Sequence, residues 1–173
     1  MLEFHQQHEA DATVGVIEMP CDRAAGQFGI LEVGAQDRIV GFEEKPAAPK
    51  LIPGTADRSY VSMGIYCFNR VALEEVLMED AKRQDSTHDF GRDVIPRMLQ
   101  SHRVVAYPFK DEHGPKYWRD IGTLDAYYEA NLDLVQVTPQ LNLYDQRWTI
   151  RTYHAQWPPA KTVFADEATG RLG

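Results

Sequence analysis

The feature that constrains this chain most is an alternation of two periods. Short apolar, β-branched runs bounded by glycine or proline give way, again and again, to segments whose apolar residues recur at helical spacing. Strands alternating with helices predict an α/β sheet covered by helices. Ala12-Thr13-Val14-Gly15-Val16-Ile17, bounded by Pro20, reads as a buried strand. Residues 28–33 and 38–43 flank Gly34-Ala35-Gln36-Asp37, a turn composition, and predict a hairpin. After the proline-rich loop 46–54, residues 59–68 predict a long aromatic-rich strand, and residues 103–109 and 117–121 two more. Residues 4–10 read as the last turns of a helix. A second helix follows Asn69 as N-cap, with Leu73, Val76, Leu77 and Ala81 inward. A third runs over 89–100 with Val94, Ile95, Met98 and Leu99 inward, and Pro96 should open a turn of it or kink it. Thr123 caps a fourth, whose face is Leu124, Tyr128, Leu132 and Val135.

Composition narrows the function classes. With 43% hydrophobic and 25% charged residues the chain is neither disordered nor fibrous. Its net charge is −8 and no Lys/Arg run occurs, which disfavours binding to nucleic acid or to an anionic membrane. Cys21 and Cys67 form no CxxC pair, so neither a disulfide framework nor a structural zinc site is expected. The N-terminal residues lack the basic and apolar stretches of a secretory leader, and no run approaches the roughly 18 apolar residues of a membrane span. A cytoplasmic location is expected.

Several segments could carry chemistry. Phe42-Glu43-Glu44-Lys45-Pro46 puts carboxylates and a lysine at a strand end, where open α/β sheets bind ligands. The lysine suits a phosphate and a carboxylate suits sugar hydroxyls, although the same residues also read as a solvated charge cluster. In Tyr117-Trp118-Arg119-Asp120-Ile121-Gly122-Thr123 an aspartate precedes a helix start. It suits Mg²⁺, which takes one or two carboxylates plus phosphate oxygens, or it simply caps the helix. Asp89, opening Asp89-Phe90-Gly91, reads as a cap, and Gly64 in Ser62-Met63-Gly64 as a packing glycine. His5 and His8, at i and i+3, read as a solvated helical face. The G-x-S-x-G, H-E-x-x-H, P-loop and G-x-G-x-x-G motifs are absent.

Taken in chain order, Gly26-Gln27-Phe28-Gly29, Phe42-Glu43-Glu44-Lys45-Pro46, Ser62-Met63-Gly64-Ile65-Tyr66, Asp89-Phe90-Gly91 and the segment from Tyr117 to Thr123 resemble the sugar-1-phosphate nucleotidyltransferases. The match is nearest to the bacterial branch that forms ADP-glucose. Its Glu-Lys-Pro and Asp-Ile-Gly-Thr elements also occur in relatives that use dTTP or UTP. The tail from Leu141 through Trp148, Tyr153 and Pro158-Pro159-Ala160-Lys161 resembles the ADP-glucose branch alone.

The resemblance implies an α/β fold, the second half of a Rossmann-like, GT-A-like nucleotidyltransferase with a mixed sheet flanked by helices. Residues 1–137 would be the sugar-phosphate side of the catalytic domain, and 138–173 a linker toward an absent left-handed β-helix domain. The implied enzyme makes ADP-glucose and pyrophosphate from ATP and α-D-glucose 1-phosphate, with Mg²⁺, as a cytoplasmic, allosteric homotetramer of glycogen or starch synthesis. Carried over by position, Lys45 would bind the sugar phosphate, Glu44 and Ser62 the sugar hydroxyls, and Gly29 would let the sugar approach the backbone. Asp89, Phe90 and Trp118 would line the sugar pocket, and Asp120 would be one of two Mg²⁺-binding aspartates. Lys45 and Asp120 are the expected catalytic groups. The family's Gly-rich, Arg-containing phosphate loop and second metal aspartate have no counterpart here, so the chain alone is expected to make no ADP-glucose. A thymidylyl- or uridylyltransferase, or a non-catalytic regulatory or sugar-phosphate-binding module, are the competing readings.

Overall fold

Five of the predicted apolar runs pair into one sheet. They are β1 (Ala12–Pro20), β2 (Gly29–Val33), β3 (Ile39–Glu44), β4 (Arg58–Phe68) and β5 (Val104–Pro108), in the order β3-β2-β4-β1-β5. Neighbours are antiparallel except β1 and β5, which run parallel, so the sheet is mixed as expected. The computed structural model describes residues 1–112, 114–151, 155–159, 165, 166, 168, 171 and 172, in two compact units, Met1–Lys116 and Tyr117–Gly173.

In the first unit the sheet is covered by the segment predicted over 89–100. It begins as a π-helical turn, Phe90–Val94, and continues as helix α4 (Ile95–Ser101) after the short α1 (Leu2–Gln7), α2 (Cys21–Ala24) and α3 (Arg70–Asp80). Val94, Ile95 and Met98 pack on Val14, Val16, Leu31, Ile39 and Val104, all buried. Pro96 falls in the first turn of α4, where the π-helical turn gives way to the α-helix. The hairpin β2–β3 forms in the expected place, and Gln36 and Asp37 take left-handed backbone angles to close it.

Two helical faces differ from expectation because polar side chains are buried by partners distant in sequence. His5 is 4% exposed, with Nδ1 2.8 Å from Thr13 Oγ1 and Nε2 3.4 Å from Asn69 Oδ1. It is therefore an internal polar tie, while His8 stacks on Phe4 with ring centroids 3.9 Å apart. Asn69 stands at the N-cap of α3, but its amide donates to the Ala10 carbonyl at 2.9 Å. The inner face of α3 is Ala72, Val76 and Asp80; Leu77 points outward, 39% exposed.

The second unit holds helix α5 (Leu124–Leu134), opened by Thr123 as predicted, with Thr123 Oγ1 accepting from the Ala126 amide at 3.1 Å. Its apolar face is bare: Leu124 is 87% exposed and Tyr128 64%. Residues 117–121 form no strand, contrary to expectation. Side chains hold them instead, Tyr117 Oη donating to Asp133 at 3.2 Å and Arg119 Nε at 2.9 Å. The tail has a 3₁₀ turn at Gln146–Trp148 and a minimal β8–β9 pair, Ala165–Asp166 with Arg171–Leu172, which follow the small β6–β7 pair of Lys110–Asp111 with Gly114–Pro115. Tyr153, Ala160 and Lys161 of the tail that resembles the ADP-glucose branch lie outside the described residues. Cys21 and Cys67 are both free thiols. Among the described residues no helix is long and apolar enough to cross a membrane.

Candidate functional site

The hairpin register sets Gly29, the first residue of β2, opposite Glu44, the last of β3. A Cβ at Gly29 would lie 2.5 Å from the Phe42 ring and 3.0 Å from Glu44 Oε2. One at Gly91 would lie 2.6 Å from the same Oε2 and 3.3 Å from Asp89 Oδ1. The Glu44 carboxylate is thus seated between two bare stretches of backbone, one from the hairpin and one from the turn that covers the sheet. Asp89 caps that turn. Its Oδ1 accepts from the Gly91 and Arg92 amides at 2.8 and 2.9 Å, which leaves Oδ2 without a hydrogen bond among the described residues.

Lys45 follows Glu44 in a left-handed backbone conformation, φ +51°, and precedes the buried Pro46. A non-glycine residue held so stores on the order of 1–3 kcal/mol of strain, and the surroundings must enforce it. They do so from both sides: the Lys45 amide donates to the Phe28 carbonyl at 3.1 Å, and the Gly26 amide donates to the Pro46 carbonyl at 2.9 Å. The lysine side chain is exposed and makes no ion pair among the described residues. An unspent cation therefore adjoins a fixed carboxylate at the edge of the sheet.

Ser62 and Tyr66 come from β4 on either side of an irregularity in its pairing with β1, where Val14 faces Tyr66 but Val16 faces Ser62. Gly64 sits in it at φ +69°, and a Cβ there would meet nothing within 4 Å. The glycine serves the backbone angle rather than a close approach, which corrects the packing expectation. Ser62 Oγ accepts from the Gly64 amide at 3.3 Å. Phe90 stacks on Tyr66 with centroids 5.7 Å apart and lies against Phe68 at 5.8 Å. Burial pushes the Tyr66 phenol pKa up, the Ser62 hydroxyl pulls it down, and the charges of Glu44 and Asp89 raise it further.

The structure thus brings together Gly29, Glu44, Asp89 and Phe90, with Ser62 joined through Tyr66 and Lys45 through the backbone. Tyr66 and Gly91 are candidates that the sequence reasoning passed over. Each stood inside a quoted motif, but only the packing of the turn against β3 and β4 gives it a neighbour worth naming.

Trp118 and Asp120 belong to the second unit. Trp118 is half-buried. Asp120 is exposed, and its carboxylate makes no hydrogen bond or ion pair among the described residues. It does not cap α5, since Thr123 does. A Cβ at Gly122 would lie 3.2 Å from Asp120 Oδ2, so the glycine leaves room for that carboxylate. Arg119 beside it is engaged with Asp133 at 2.8 Å and Glu129 at 3.2 Å. Among the described residues no three His, Cys, Asp or Glu side chains converge as a metal site.

Comparison with known proteins bears on what such a site serves. A nucleotidyl transferase family model matches residues 1–137. The chain is 51% identical over 169 residues to a protein of Alkalilimnicola ehrlichii named glucose-1-phosphate adenylyltransferase 2, covering 96% of this chain and 40% of that protein. It is 50% identical over 170 residues to the glucose-1-phosphate adenylyltransferase of Nitrosococcus oceani, again 96% and 40%. That of Dechloromonas aromatica is 50% identical over 173 residues, 96% and 39%. The chain therefore spans about 40% of the length of the curated relatives it matches.

Proposed function

Because the chain belongs to the nucleotidyl transferase family, we propose that it is the sugar-phosphate-binding part of an enzyme that makes ADP-glucose and pyrophosphate from ATP and α-D-glucose 1-phosphate. The observation that carries this reading is the Glu44 carboxylate held between Gly29 and Gly91, next to the strained Lys45, which makes no ion pair among the described residues. A sugar phosphate needs a cation for its phosphate and fixed acceptors for its hydroxyls.

Residues 1–137 then form the sugar-phosphate side of the catalytic domain and 138–173 a linker. Lys45 binds the phosphate of glucose 1-phosphate. Glu44 and the spare Oδ2 of Asp89 accept from sugar hydroxyls, Ser62 supplies a hydroxyl that both donates and accepts, and Gly29, whose missing side chain leaves room for Phe42 and the Glu44 carboxylate, presents its backbone at the sugar pocket. Phe90, stacked on Tyr66, is an apolar wall for the sugar, and Trp118 keeps the sugar contact that its position in the family motif implies. The reaction is an in-line attack by a phosphate oxygen of glucose 1-phosphate on the α-phosphorus of ATP. The new P–O bond forms as the bond to pyrophosphate breaks, and no covalent enzyme intermediate is needed. Lys45 lowers the repulsion between two polyanions and fixes the attacking group.

Nucleotidyl transferases generally use a divalent cation. Asp120 fits one: it is a hard oxygen donor with no competing partner among the described residues, suited to Mg²⁺ completed by phosphate oxygens and water. When bound, the ion supplies charge neutralisation at the α-phosphate. A cytoplasmic homotetramer is the assembly that goes with this reading.

Lys45→Ala, made in the enzyme that contains this chain, tests it. Loss of a charge-assisted hydrogen bond predicts about 10- to 100-fold weaker glucose 1-phosphate binding. Half-saturation by ATP should move far less. Equal losses for both substrates overturn the assignment of Lys45. Rates measured side by side with ATP, dTTP and UTP test the nucleotide, and a preference for dTTP or UTP overturns the ADP-glucose reading.

A further inference from the structure

Asp80 is the one carboxylate among the buried polar side chains of the described residues, 3% exposed. It ends α3, where the helix dipole disfavours negative charge, so it must be held by partners. Three reach it: Ser86 Oγ at 2.7 Å, His88 Nδ1 at 2.8 Å and Arg97 Nη1 at 3.2 Å. Arg97 belongs to α4, whereas Ser86 and His88 lie on the segment that leads into Asp89. This is no nucleophile and base: Ser86 Oγ donates to the carboxylate and accepts from the His88 amide at 3.0 Å, and the imidazole does not activate it.

A second carboxylate holds the same segment from the other side. Asp93 Oδ2 accepts from the Thr87 amide at 3.1 Å, from the Thr87 hydroxyl and from the Asp89 amide at 3.3 Å. Between these anchors His88 is kept at φ +59°, a left-handed angle costly for its side chain. The next residue is Asp89, whose Oδ1 fixes the Gly91 amide, and Gly91 borders Glu44 Oε2. A chain of contacts therefore runs from a buried carboxylate to the candidate sugar site without Asp80 belonging to that site.

We propose that Asp80, acting through His88, is a positioning residue that holds Asp89 and Gly91 in place at the ligand site. The inference rests on the sugar-phosphate reading above for what that site binds. It separates the two arms of Asp80: the Arg97 arm joins α3 to α4 and serves stability, and the His88 arm serves the site.

The test uses the 173-residue chain with α-D-glucose 1-phosphate as the probe, titrated calorimetrically, together with hydrogen exchange of the Gly91 and Arg92 amides by NMR. His88→Ala removes both the Asp80 partner and a side chain tolerant of positive φ. It should weaken binding and speed both exchanges by about tenfold, the scale of one lost charge-assisted hydrogen bond. His88→Asn restores a donor near the Nδ1 position and tolerates the backbone angle, so it should bring both readouts close to the parent values. Arg97→Gln should lower the melting temperature and leave affinity and both exchange rates unchanged. Unaltered exchange in His88→Ala, or Arg97→Gln releasing Gly91 and Arg92 as fully as His88→Ala does, overturns the proposal. If the parent chain takes up no glucose 1-phosphate while the exchange rates respond as stated, the sugar-phosphate reading falls and the positioning role stands.

Discussion

The turn that opens at Asp89 and the helix that opens at Thr123 begin with similar local chemistry, an acid close to a helical start, yet they are anchored quite differently. Asp89 gives one oxygen to two backbone amides, and the turn behind it rests on Val94, Ile95 and Met98, each no more than 2% exposed. Asp120 gives nothing to its helix because Thr123 takes the cap, and α5 has no buried residue. The difference teaches that an acidic residue before a helix carries two opposite meanings. One is spent on structure and leaves a single oxygen without a hydrogen bond among the described residues. The other is structurally idle, which is the condition a metal ligand needs.

The largest expected contrast lies in the two hydrophobic faces. Met98→Ala should cost about 2–5 kcal/mol, because Met98 is fully buried and its neighbours collapse only partly into the cavity. Leu132→Ala, at a residue 45% exposed, should stay within about 0.5 kcal/mol. Urea unfolding of both variants checks this. A Leu132→Ala cost near that of Met98→Ala would show that α5 is covered in solution, and the contrast between the two regions would break.

A smaller effect separates the carboxylates themselves. Asp89→Ala should lose about 1 kcal/mol, the usual cost of removing an N-cap. Asp120→Ala should change stability by less than about 0.5 kcal/mol, since no described group leans on it. Thermal unfolding followed by circular dichroism measures both. A clear destabilisation by Asp120→Ala would mean that its carboxylate is a structural partner after all, and its suitability for a cation would lose its main support.

How legible all this was in the sequence depends on how local each determinant is. The hairpin, the buried run of β1 and the Val94-Ile95-Met98 face were readable because period and turn composition act over a few residues. Lys45 and Glu44 were readable as strand-end charges for the same reason. The face of α3 was misjudged because a buried Asp80 in a helical pattern reads as surface; its rescue by Arg97, seventeen positions on, is tertiary. His5 was misjudged likewise, one of its partners being sixty-four positions away. The strand predicted over 117–121 failed because residues with strand propensity found side-chain partners on α5 in place of a ladder. The most informative feature of the site, one Glu44 oxygen seated against both Gly29 and Gly91, could not be read from spacing at all. It exists only because the turn packs over the hairpin.

The last and smallest contrast appears only in acid. His88 and Ser86 hold the Asp80 carboxyl below the usual range, Thr87 does the same for Asp93, and Arg147 for Asp145. A carboxylate whose pKa is depressed in the folded state stabilises the fold fully above its unfolded value, about 3.9, and loses that contribution as pH falls through the lower folded value. These groups should therefore leave stability flat from neutral pH down to about 4–5 and erode it below. The two units should differ in what erodes. Asp80 and Asp93 clamp the segment between α3 and α4, so their protonation should lower the unfolding free energy of the first unit and lower the protection factors of the Gly91 and Arg92 amides against exchange. Asp145 pairs with Arg147 two residues on, and that ion pair is local and largely exposed on the arginine side. Its protonation should shift the Arg147 resonances with no change in the cooperative unfolding midpoint. NMR titration between pH 6 and pH 3 separates these outcomes. A Gly91 protection factor, the exchange rate relative to the intrinsic rate at each pH, that stays constant through that range would show that the two carboxylates do not hold Asp89, and the anchored turn would then be no better held than the exposed helix.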